Sequence, residues 1–278
     1  MNLEQYNLDD FLLAALDEDI GTGDVTTSSC VSEDSVASAV FIAKDSGVIC
    51  GVDIAARVFE LLNKDVKMTA LVRDGDFVNP SAVIAEISGS AQAILMGERT
   101  ALNILQYLSG IATATSKAVN EIAGANAKIT DTRKILPGFR ALAKYAVRCG
   151  GGSNHRFNLS DRALIKDNHI KAAGGIANAV KLVRLHCPPT LKIEVETESL
   201  EQVREAISAG ADIIMLDNMP IDMMRDAVGI IGDIALTEAS GNIDKRGLKS
   251  VAETGVDFIS IGALTHSVKA LDISLRFS

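Results

Sequence analysis

The second half of the sequence repeats one pattern, and this repeat restricts the possible folds more than any other feature. A short apolar run ends in a polar residue, and a segment with apolar residues three or four positions apart follows it. The runs occupy residues 127–131, 163–166, 191–196, 211–217, 233–241 and 256–262. The later runs recur about every 20 to 25 residues, which is the spacing of βα units that form a parallel sheet.

Six βα units in succession predict a closed α/β barrel with one irregular unit. An open, doubly wound sheet is the alternative, although no G-x-G-x-x-G follows a first strand. The first hundred residues predict strands over 35–51, 66–78 and 82–94, an amphipathic helix over 53–64, and a long helix over 95–120. We therefore predict a mixed amino-terminal domain over residues 1–110 and a barrel domain over residues 111–278, with the last ten or so residues packing back on the first domain.

Composition excludes several classes of protein. The chain has 27 Lys and Arg against 36 Asp and Glu, a net charge of −9, which argues against a duplex nucleic acid as partner. No run of about 18 apolar residues occurs, so a transmembrane helix is not expected. Residues 1–21 lack a basic stretch before an apolar one, and the four cysteines are scattered. These features predict a cytoplasmic protein with reduced thiols.

One segment departs from the acidic balance. Residues 133–171 carry nine basic side chains and only two acids, Asp161 and Asp167. A solvated basic face is the ordinary explanation of such a run. The competing explanation is a concave site for a small, highly charged anion, because several of these cations stand beside Gly, Asn and His rather than at helical spacing.

Polar residues stand where the predicted strands end, which in an α/β barrel is the edge that carries the chemistry. They are Asp131, Arg133, Lys134, Lys166, Glu196, Asp217, Glu238, Ser240, Gly241, Asn242, Gly262 and Ala263. Loops after the last strands of such barrels often bind phosphate through backbone N–H groups. Each residue also has a simpler explanation: the carboxylates as helix caps or salt-bridge partners, Lys166 as an interior ion-pair partner, and the glycine-containing segments as ordinary turns.

Together these residues suggest group transfer to or from a phosphorylated sugar. Arg and Lys neutralise carboxylate and phosphate oxygens, and Glu196 and Asp217 near a polyphosphate would recruit Mg²⁺. Motifs typical of metalloproteases, α/β-hydrolases and P-loop proteins are absent from the sequence.

Longer motifs resemble one enzyme family. Residues 131–140 (DTRKILPGFR), 144–147 (KYAV), 150–156 (GGGSNHR) and 165–170 (IKDNHI) are similar to the core motifs of the quinolinate phosphoribosyltransferases. Residues 18–26, 98–113, 194–196, 216–218, 238–241 and 261–267 follow in the family's order. The resemblance thus covers nearly the whole chain. Its departures, Ile135 where the family often has Thr and Pro80-Ser81 where it often has Gly, remove no charged group.

The resemblance implies an amino-terminal α/β sandwich and a carboxyl-terminal, incomplete TIM-like barrel. It implies a reaction of quinolinate with phosphoribosyl pyrophosphate that gives nicotinate mononucleotide, pyrophosphate and CO₂ with Mg²⁺. It also implies a homodimer, or a higher oligomer, whose active sites are shared across the interface, with Arg99 reaching the neighbouring subunit's site. Without the resemblance, Arg99 is more simply an exposed helix arginine.

The resemblance further assigns residues to each substrate. Quinolinate is held by Arg99, Arg133, His155, Arg156 and Lys166. The phosphoribosyl group and its metal are surrounded by Lys134, Glu196, Asp217, Ser240, Gly241 and Gly262, to which the strand-end pattern adds Asn242. Catalytic roles fall to Lys134, Lys166, Glu196 and Asp217, and metal ligation to Glu196 and Asp217.

Two rival functions remain at this point. A paralogue with the same scaffold, such as the molybdenum-locus homologue, would act on a different pyridine or diacid acceptor. A non-catalytic module would bind a phosphorylated metabolite without turning it over, although it would not need to keep both Glu196 and Asp217.

Overall fold

The computed structural model describes residues 7–243 and 246–277, which divide into two compact units. The first unit comprises residues 7–116, 135–151 and 264–277, and the second comprises residues 117–134, 152–243 and 246–263. The predicted division at residue 110 falls inside one long helix, and two later segments group with the first unit.

The second unit is built on a six-stranded parallel sheet. Its strands are β6 (Lys128–Thr130), β7 (Ala163–Ile165), β8 (Ile193–Thr197), β9 (Ile213–Asp217), β10 (Leu236–Ser240) and β11 (Phe258–Ser260). All six predicted runs form these strands. Their order is β6-β11-β10-β9-β8-β7.

This strand order makes the sheet an incomplete barrel. Strand β6 precedes β7 in the chain, yet it pairs with β11 at the far side of the sheet. In a barrel, neighbouring strands follow one another along the chain, and the last strand pairs with the first. Where β6 and β7 would meet, the described residues show only an isolated bridge between Thr130 and Ser153. The predicted α/β barrel with one irregular unit is confirmed.

Helices follow the strands of this unit. They are α6 (Asp167–Ala173), α7 (Ile176–His186), α8 (Leu200–Ser208), α9 (Ile221–Ile231) and α10 (Leu248–Ala252), and the short α11 (Ala263–His266) follows β11. In α9 the buried residues Met224, Ala227 and Ile231 are three and four positions apart, so one stripe of the helix faces the interior. Helix α8 begins where the Ser199 hydroxyl accepts from the Gln202 N–H at 3.3 Å.

The first unit contains an antiparallel sheet of four strands in the order β12-β1-β5-β3. The strands are β1 (Val36–Ala43), β3 (Lys67–Ala70), β5 (Val83–Ser90) and β12 (Ile273–Phe277), and β2 (Gly47–Val48) pairs with β4 (Phe77–Val78). Strand β12 pairs with β1, so the end of the described chain belongs to this sheet.

Helices complete the first unit as an α/β sandwich. They are α1 (Leu8–Ile20), α2 (Val25–Cys30), α3 (Val52–Leu62), α4 (Ala91–Glu121), which continues into the second unit, and α5 (Arg140–Cys149). The rings of Phe41 on β1 and Phe59 on α3 meet edge to face, with centroids 6.1 Å apart. The Asp24 carboxylate caps α2 by accepting from the N–H groups of Thr26 and Thr27.

The long helix begins earlier than the sequence predicts. Residues 91–94, which the alternation pattern assigns to a strand, form the first turn of α4. The reason is local: the Ser90 hydroxyl accepts from the Ala93 N–H at 3.3 Å and caps the helix. No helix in the described part of the chain combines the length and apolar character needed to cross a bilayer.

Candidate active site

The predicted strand-end residues of the second unit lie at one edge of its sheet. Lys166 directly follows β7, Asp217 ends β9, Ser240 ends β10, and Gly262 follows β11. Since the strands are parallel and adjacent, their carboxyl ends converge on this edge. We call it the barrel mouth.

Two carboxylates stand at the ends of neighbouring strands at the mouth. Glu196 on β8 accepts from Lys166 Nζ at 3.0 Å. The Asp217 carboxylate on β9 accepts from the Asn218 side-chain amide at 2.7 Å. The Lys166 side chain is 48% exposed and that of Glu196 13% exposed, so a ligand entering the mouth can reach the ammonium group. Lys166 is therefore an ion-pair partner, as the simpler explanation of this residue predicts, but its ammonium group is accessible to a ligand.

The turn after β10 approaches the turn after β9 too closely for an ordinary side chain. Gly241 has φ +81°, and a Cβ there would lie 2.5 Å from the Asn218 amide. The Asn218 N–H donates to the Ser240 carbonyl at 3.0 Å, and the Asn242 amide donates to Asn218 Oδ1 at 3.0 Å. These contacts fix the backbone of both turns beside Asp217.

Two arginines form a concentration of positive charge in the second unit. Burial, and then the nearby charge of Arg133, lower the pKa of Arg156. Arg156 Nη1 donates to the Arg162 carbonyl at 2.9 Å, which fixes its direction. Among the described residues, Arg133 Nε is buried and has no hydrogen-bond partner. Because burial and the charge of Arg133 both act against the charged form of Arg156, an anion bound near Arg156 would stabilise it, which favours the anion-site explanation of the basic segment.

His155 is the centre of a buried ionic cluster with Glu194, Glu238 and Arg162. Its Nε2 lies 3.5 Å from a Glu194 oxygen and 3.4 Å from a Glu238 oxygen. Its Nδ1 accepts from the Arg156 N–H at 2.8 Å. Arg162 Nε lies 3.4 Å from the same Glu194 oxygen. Sequence reasoning gave Glu194 and Arg162 no individual role. The sequence does contain one relevant pattern: Glu194 stands two positions before Glu196, so their side chains point to the same face of β8.

The charges in this cluster depend on one another. Burial lowers the pKa of His155, but its hydrogen bonds with Glu194 and Glu238 outweigh burial, so that this pKa is raised. Burial also acts to raise the pKa of Glu238, and the hydrogen bond with His155 outweighs it, so that this pKa is lowered. The pKa of Glu194 is raised by burial. These two pKa shifts favour an ionised Glu238 and a protonated His155, whereas the Arg156 N–H that donates to Nδ1 favours the neutral imidazole.

This cluster is a poor site for Mg²⁺. One ligand atom of each of His155, Glu194 and Glu238 lies within 4.8 Å of the others. However, Mg²⁺ prefers oxygen ligands and retains several waters, whereas here a buried imidazole lies between the carboxylates. The guanidinium of Arg162 also occupies the space beside them.

We predict that Glu238→Gln lowers the free energy of unfolding by ~3 kcal/mol, because it leaves the charge of His155 buried without its ionised partner. The folded pKa of His155 lies above its unfolded value of about 6.5. The stabilisation is therefore complete below that unfolded pKa and is lost as the pH rises through the folded pKa. In urea unfolding, the difference in free energy of unfolding between wild type and variant should be larger at pH 6 than at pH 9. The exposed Glu253→Gln is the control, and equal losses at both pH values would contradict the prediction.

The remaining predicted residues are distributed over both units. Arg99 is exposed on α4 of the first unit, and Arg140, Lys144 and Arg148 lie on α5 of the same unit. Lys134 is exposed after β6, and its N–H donates to Thr132 Oγ1 at 3.0 Å. Lys171 pairs with Asp167 at 3.4 Å on the surface, so this member of the basic segment belongs to an ordinary solvated face.

Comparisons with known proteins give matches over nearly the whole chain. Residues 24–109 match the N-terminal domain of quinolinate phosphoribosyl transferase, and residues 111–276 match its C-terminal domain. The chain is 50% identical over 258 residues to a Bacillus subtilis (strain 168) protein named "Probable nicotinate-nucleotide pyrophosphorylase (carboxylating)", covering 93% of this chain and 89% of that protein.

Two further comparisons extend this agreement. The chain is 43% identical over 290 residues to the chloroplastic nicotinate-nucleotide pyrophosphorylase (carboxylating) of Arabidopsis thaliana, covering 98% of this chain and 83% of that protein. The crystal structure of NadC from Streptococcus pyogenes superposes with a TM-score of 0.95 at 40% identity, covering 100% of this chain and 98% of that chain.

Proposed function

The chain belongs to the quinolinate phosphoribosyltransferase family, and we propose that the residues of its barrel mouth carry out the family's reaction with Mg²⁺. The reaction transfers the phosphoribosyl group to quinolinate and releases pyrophosphate and CO₂, leaving nicotinate mononucleotide for NAD synthesis. The observation that carries the assignment to residues is the Arg133–Arg156 concentration of charge, which suits an anionic ligand and lies in the same unit as the two strand-end carboxylates.

Quinolinate is a dianion, and the cations of the second unit are matched to it. Arg133, Arg156 and Lys166 neutralise its carboxylates, and Arg guanidinium groups can do so in bidentate fashion. His155, which pairs with Glu194 and Glu238, adds a further positive charge when its imidazole is protonated. The ion pair of Lys166 with Glu196 is exchanged for a substrate carboxylate as quinolinate binds.

The phosphoribosyl pyrophosphate occupies the other side of the mouth. Lys134 neutralises phosphate oxygens, and the turns at Ser240–Asn242 and Gly262 offer backbone N–H groups. Glu196 and Asp217 position the ribose hydroxyls and would hold Mg²⁺. Two carboxylates on adjacent strands suit this ion, because it prefers oxygen ligands and retains several waters. The ion would supply neutralisation of charge on the leaving pyrophosphate.

The reaction needs no protein nucleophile. The ring nitrogen of quinolinate attacks C1 of the ribose as the pyrophosphate leaves, through a transition state with positive charge on the sugar. The carboxylates of Glu196 and Asp217 stabilise that charge. Once alkylated, the positively charged ring nitrogen stabilises the electron pair that the departing CO₂ leaves on C2, and C2 then takes up a proton. The protein therefore acts mainly by orienting both substrates and excluding water.

Purified protein incubated with quinolinate, phosphoribosyl pyrophosphate and Mg²⁺ should form nicotinate mononucleotide, pyrophosphate and CO₂ in equal amounts. A non-catalytic binding module would form none of the three. A paralogue with another acceptor would form pyrophosphate only when that acceptor replaces quinolinate.

We further propose that the protein is a homodimer in which Arg99 of one subunit completes the site of the other. Arg99 is exposed on α4 and lies outside the unit that holds the mouth residues, so its guanidinium is accessible to a second subunit. In the mixed dimer of Arg99→Ala and Lys166→Ala, one of the two sites keeps both residues.

Mixing these two inactive variants should therefore restore activity. With random subunit exchange, half of the dimers are mixed, and we expect about one quarter of the wild-type activity. Exchange is verified by labelling each variant with a different tag and isolating the mixed dimer. An inactive mixed dimer would mean that Arg99 does not act across the interface.

A further inference from the structure

We propose that Cys50 and Cys149 form a redox-active dithiol, which a hydroperoxide converts into a disulfide. Both residues belong to the first unit and have no part in the proposed reaction. Cys50 follows β2 and is buried, and Cys149 is the last residue of α5 and is partly exposed. Their Sγ atoms and one carboxylate oxygen of Asp74 all lie within 4.8 Å of one another.

A single helix fixes the backbone at both cysteines. The N–H of Cys50 donates to the Ser109 hydroxyl of α4 at 3.0 Å. Gly150, which follows Cys149, lies so close to the same helix that a Cβ there would be 2.4 Å from the Ala112 carbonyl oxygen. Ser109 and Ala112 are three positions apart and share one face of α4. The two thiols are therefore brought together by elements that pack on one helix, and a disulfide requires their Sγ atoms to close from within 4.8 Å to about 2.05 Å.

The two thiols differ in burial and in the direction of their pKa shifts, as a reacting pair of thiols requires. Burial raises the pKa of the Cys50 thiol. The hydrogen bond from Cys50 lowers the pKa of Cys149, and the charge of Arg148 adds to this effect. The Tyr145 hydroxyl donates its one proton to Asp74 at 2.6 Å, so the donor to the Cys149 thiolate is Cys50. A partly exposed thiol with a lowered pKa beside a buried thiol is the arrangement typical of redox-sensing cysteines.

A metal site is the weaker use of the same atoms. The Asp74 carboxylate already accepts from the N–H groups of Gly51 and Val52, at 2.9 and 3.1 Å, and from the Tyr145 hydroxyl. It thereby caps the start of α3, and its oxygens would have to leave these donors to bind an ion. Two thiols without a third ligand favour disulfide formation instead.

The oxidation has two steps. The Cys149 thiolate attacks the distal oxygen of the hydroperoxide, ROOH, and becomes a sulfenic acid, while the O–O bond breaks and ROH leaves after taking up a proton. Cys50 then loses its proton and attacks the Cys149 sulfur, which forms the S–S bond and releases water. Two thiols and one hydroperoxide thus give one disulfide, ROH and water. A thiol reductant reverses the change, as expected for a regulatory disulfide in a reducing compartment.

The test is peptide mapping of the folded, full-length protein after treatment with hydrogen peroxide and alkylation of the remaining thiols. We expect wild type to lose two of its four free thiols and to give a linked peptide that contains Cys50 and Cys149. Dithiothreitol should restore both thiols. In Cys50→Ser, Cys149 should instead accumulate as a sulfenic acid that dimedone traps. Cys30→Ser and Cys187→Ser serve as matched controls and should keep the linked peptide.

A second readout does not depend on any variant. The disulfide closes a long loop between the two cysteines, so oxidised wild type should unfold several degrees higher than reduced wild type. The proposal is overturned if exposed Cys30 reacts before Cys149 or if no Cys50–Cys149 peptide forms while the protein stays folded. A metal ion that is bound to both thiols and protects them would also overturn it.

Discussion

Excess chelator should reduce the formation of nicotinate mononucleotide to the uncatalysed background, and added Mg²⁺ or Mn²⁺ should restore it. The physical reason is the charge on the leaving group: pyrophosphate departs with several negative charges, and the cations of the protein are needed at the same time by quinolinate. Glu196 and Asp217, at the ends of the paired strands β8 and β9, offer the carboxylate oxygens that such an ion prefers.

The measurement is the initial rate as a function of free Mg²⁺ concentration. Asp217→Asn removes one anionic oxygen donor and should shift the half-saturating Mg²⁺ concentration upward by about tenfold or more, by analogy with the loss of other charge-assisted contacts. The control is Asp222→Asn on α9, because Asp222 is a surface partner of Arg225. Full activity of wild type in excess chelator would contradict the metal assignment.

Arg156→Ala should lower kcat/KM for quinolinate by a factor of roughly 10² to 10³. The substitution removes one cation from a site built for a dianion, and an uncompensated buried charge typically costs ~3–5 kcal/mol. The KM for phosphoribosyl pyrophosphate should change much less, since the proposed site of that substrate is on the other side of the mouth. Lys171→Ala is the matched control, because Lys171 also belongs to the basic segment but pairs with Asp167 on the surface.

Steady-state kinetics with each substrate varied in turn will separate the two effects. Equal losses against both substrates would indicate that Arg156 acts on the structure of the mouth as a whole. Unchanged quinolinate kinetics would show that the assignment of the basic cluster is wrong.

Local sequence pattern predicted the parallel strands well. In a barrel covered on both sides, each strand is a nearly continuous apolar run, and β9 with its residues Ile213–Asp217 is buried up to its last position. The polar residue that follows each run marks the mouth, which is why Lys166, Glu196 and Asp217 could be placed at one edge from the sequence alone.

Long-range contacts were harder to predict. The grouping of residues 135–151 with the first unit depends on buried contacts far apart in the chain, such as the hydrogen bond from Tyr145 to Asp74. The cluster around His155 depends on β8 and β10 presenting Glu194 and Glu238 to the same imidazole. These strands are separated by β9, and periodicity carries no information about which side chains meet across a neighbouring strand.

The acceptor specificity tests the central claim most directly, because quinolinate and nicotinate differ by one carboxylate. We propose comparing kcat/KM for the two acids with phosphoribosyl pyrophosphate and Mg²⁺ held constant. We expect kcat/KM for nicotinate to be lower by a factor of at least about 10², because nicotinate leaves part of the cation cluster uncompensated. Equal turnover of nicotinate and quinolinate would contradict the assignment of Arg133, His155, Arg156 and Lys166 to the two carboxylates of quinolinate.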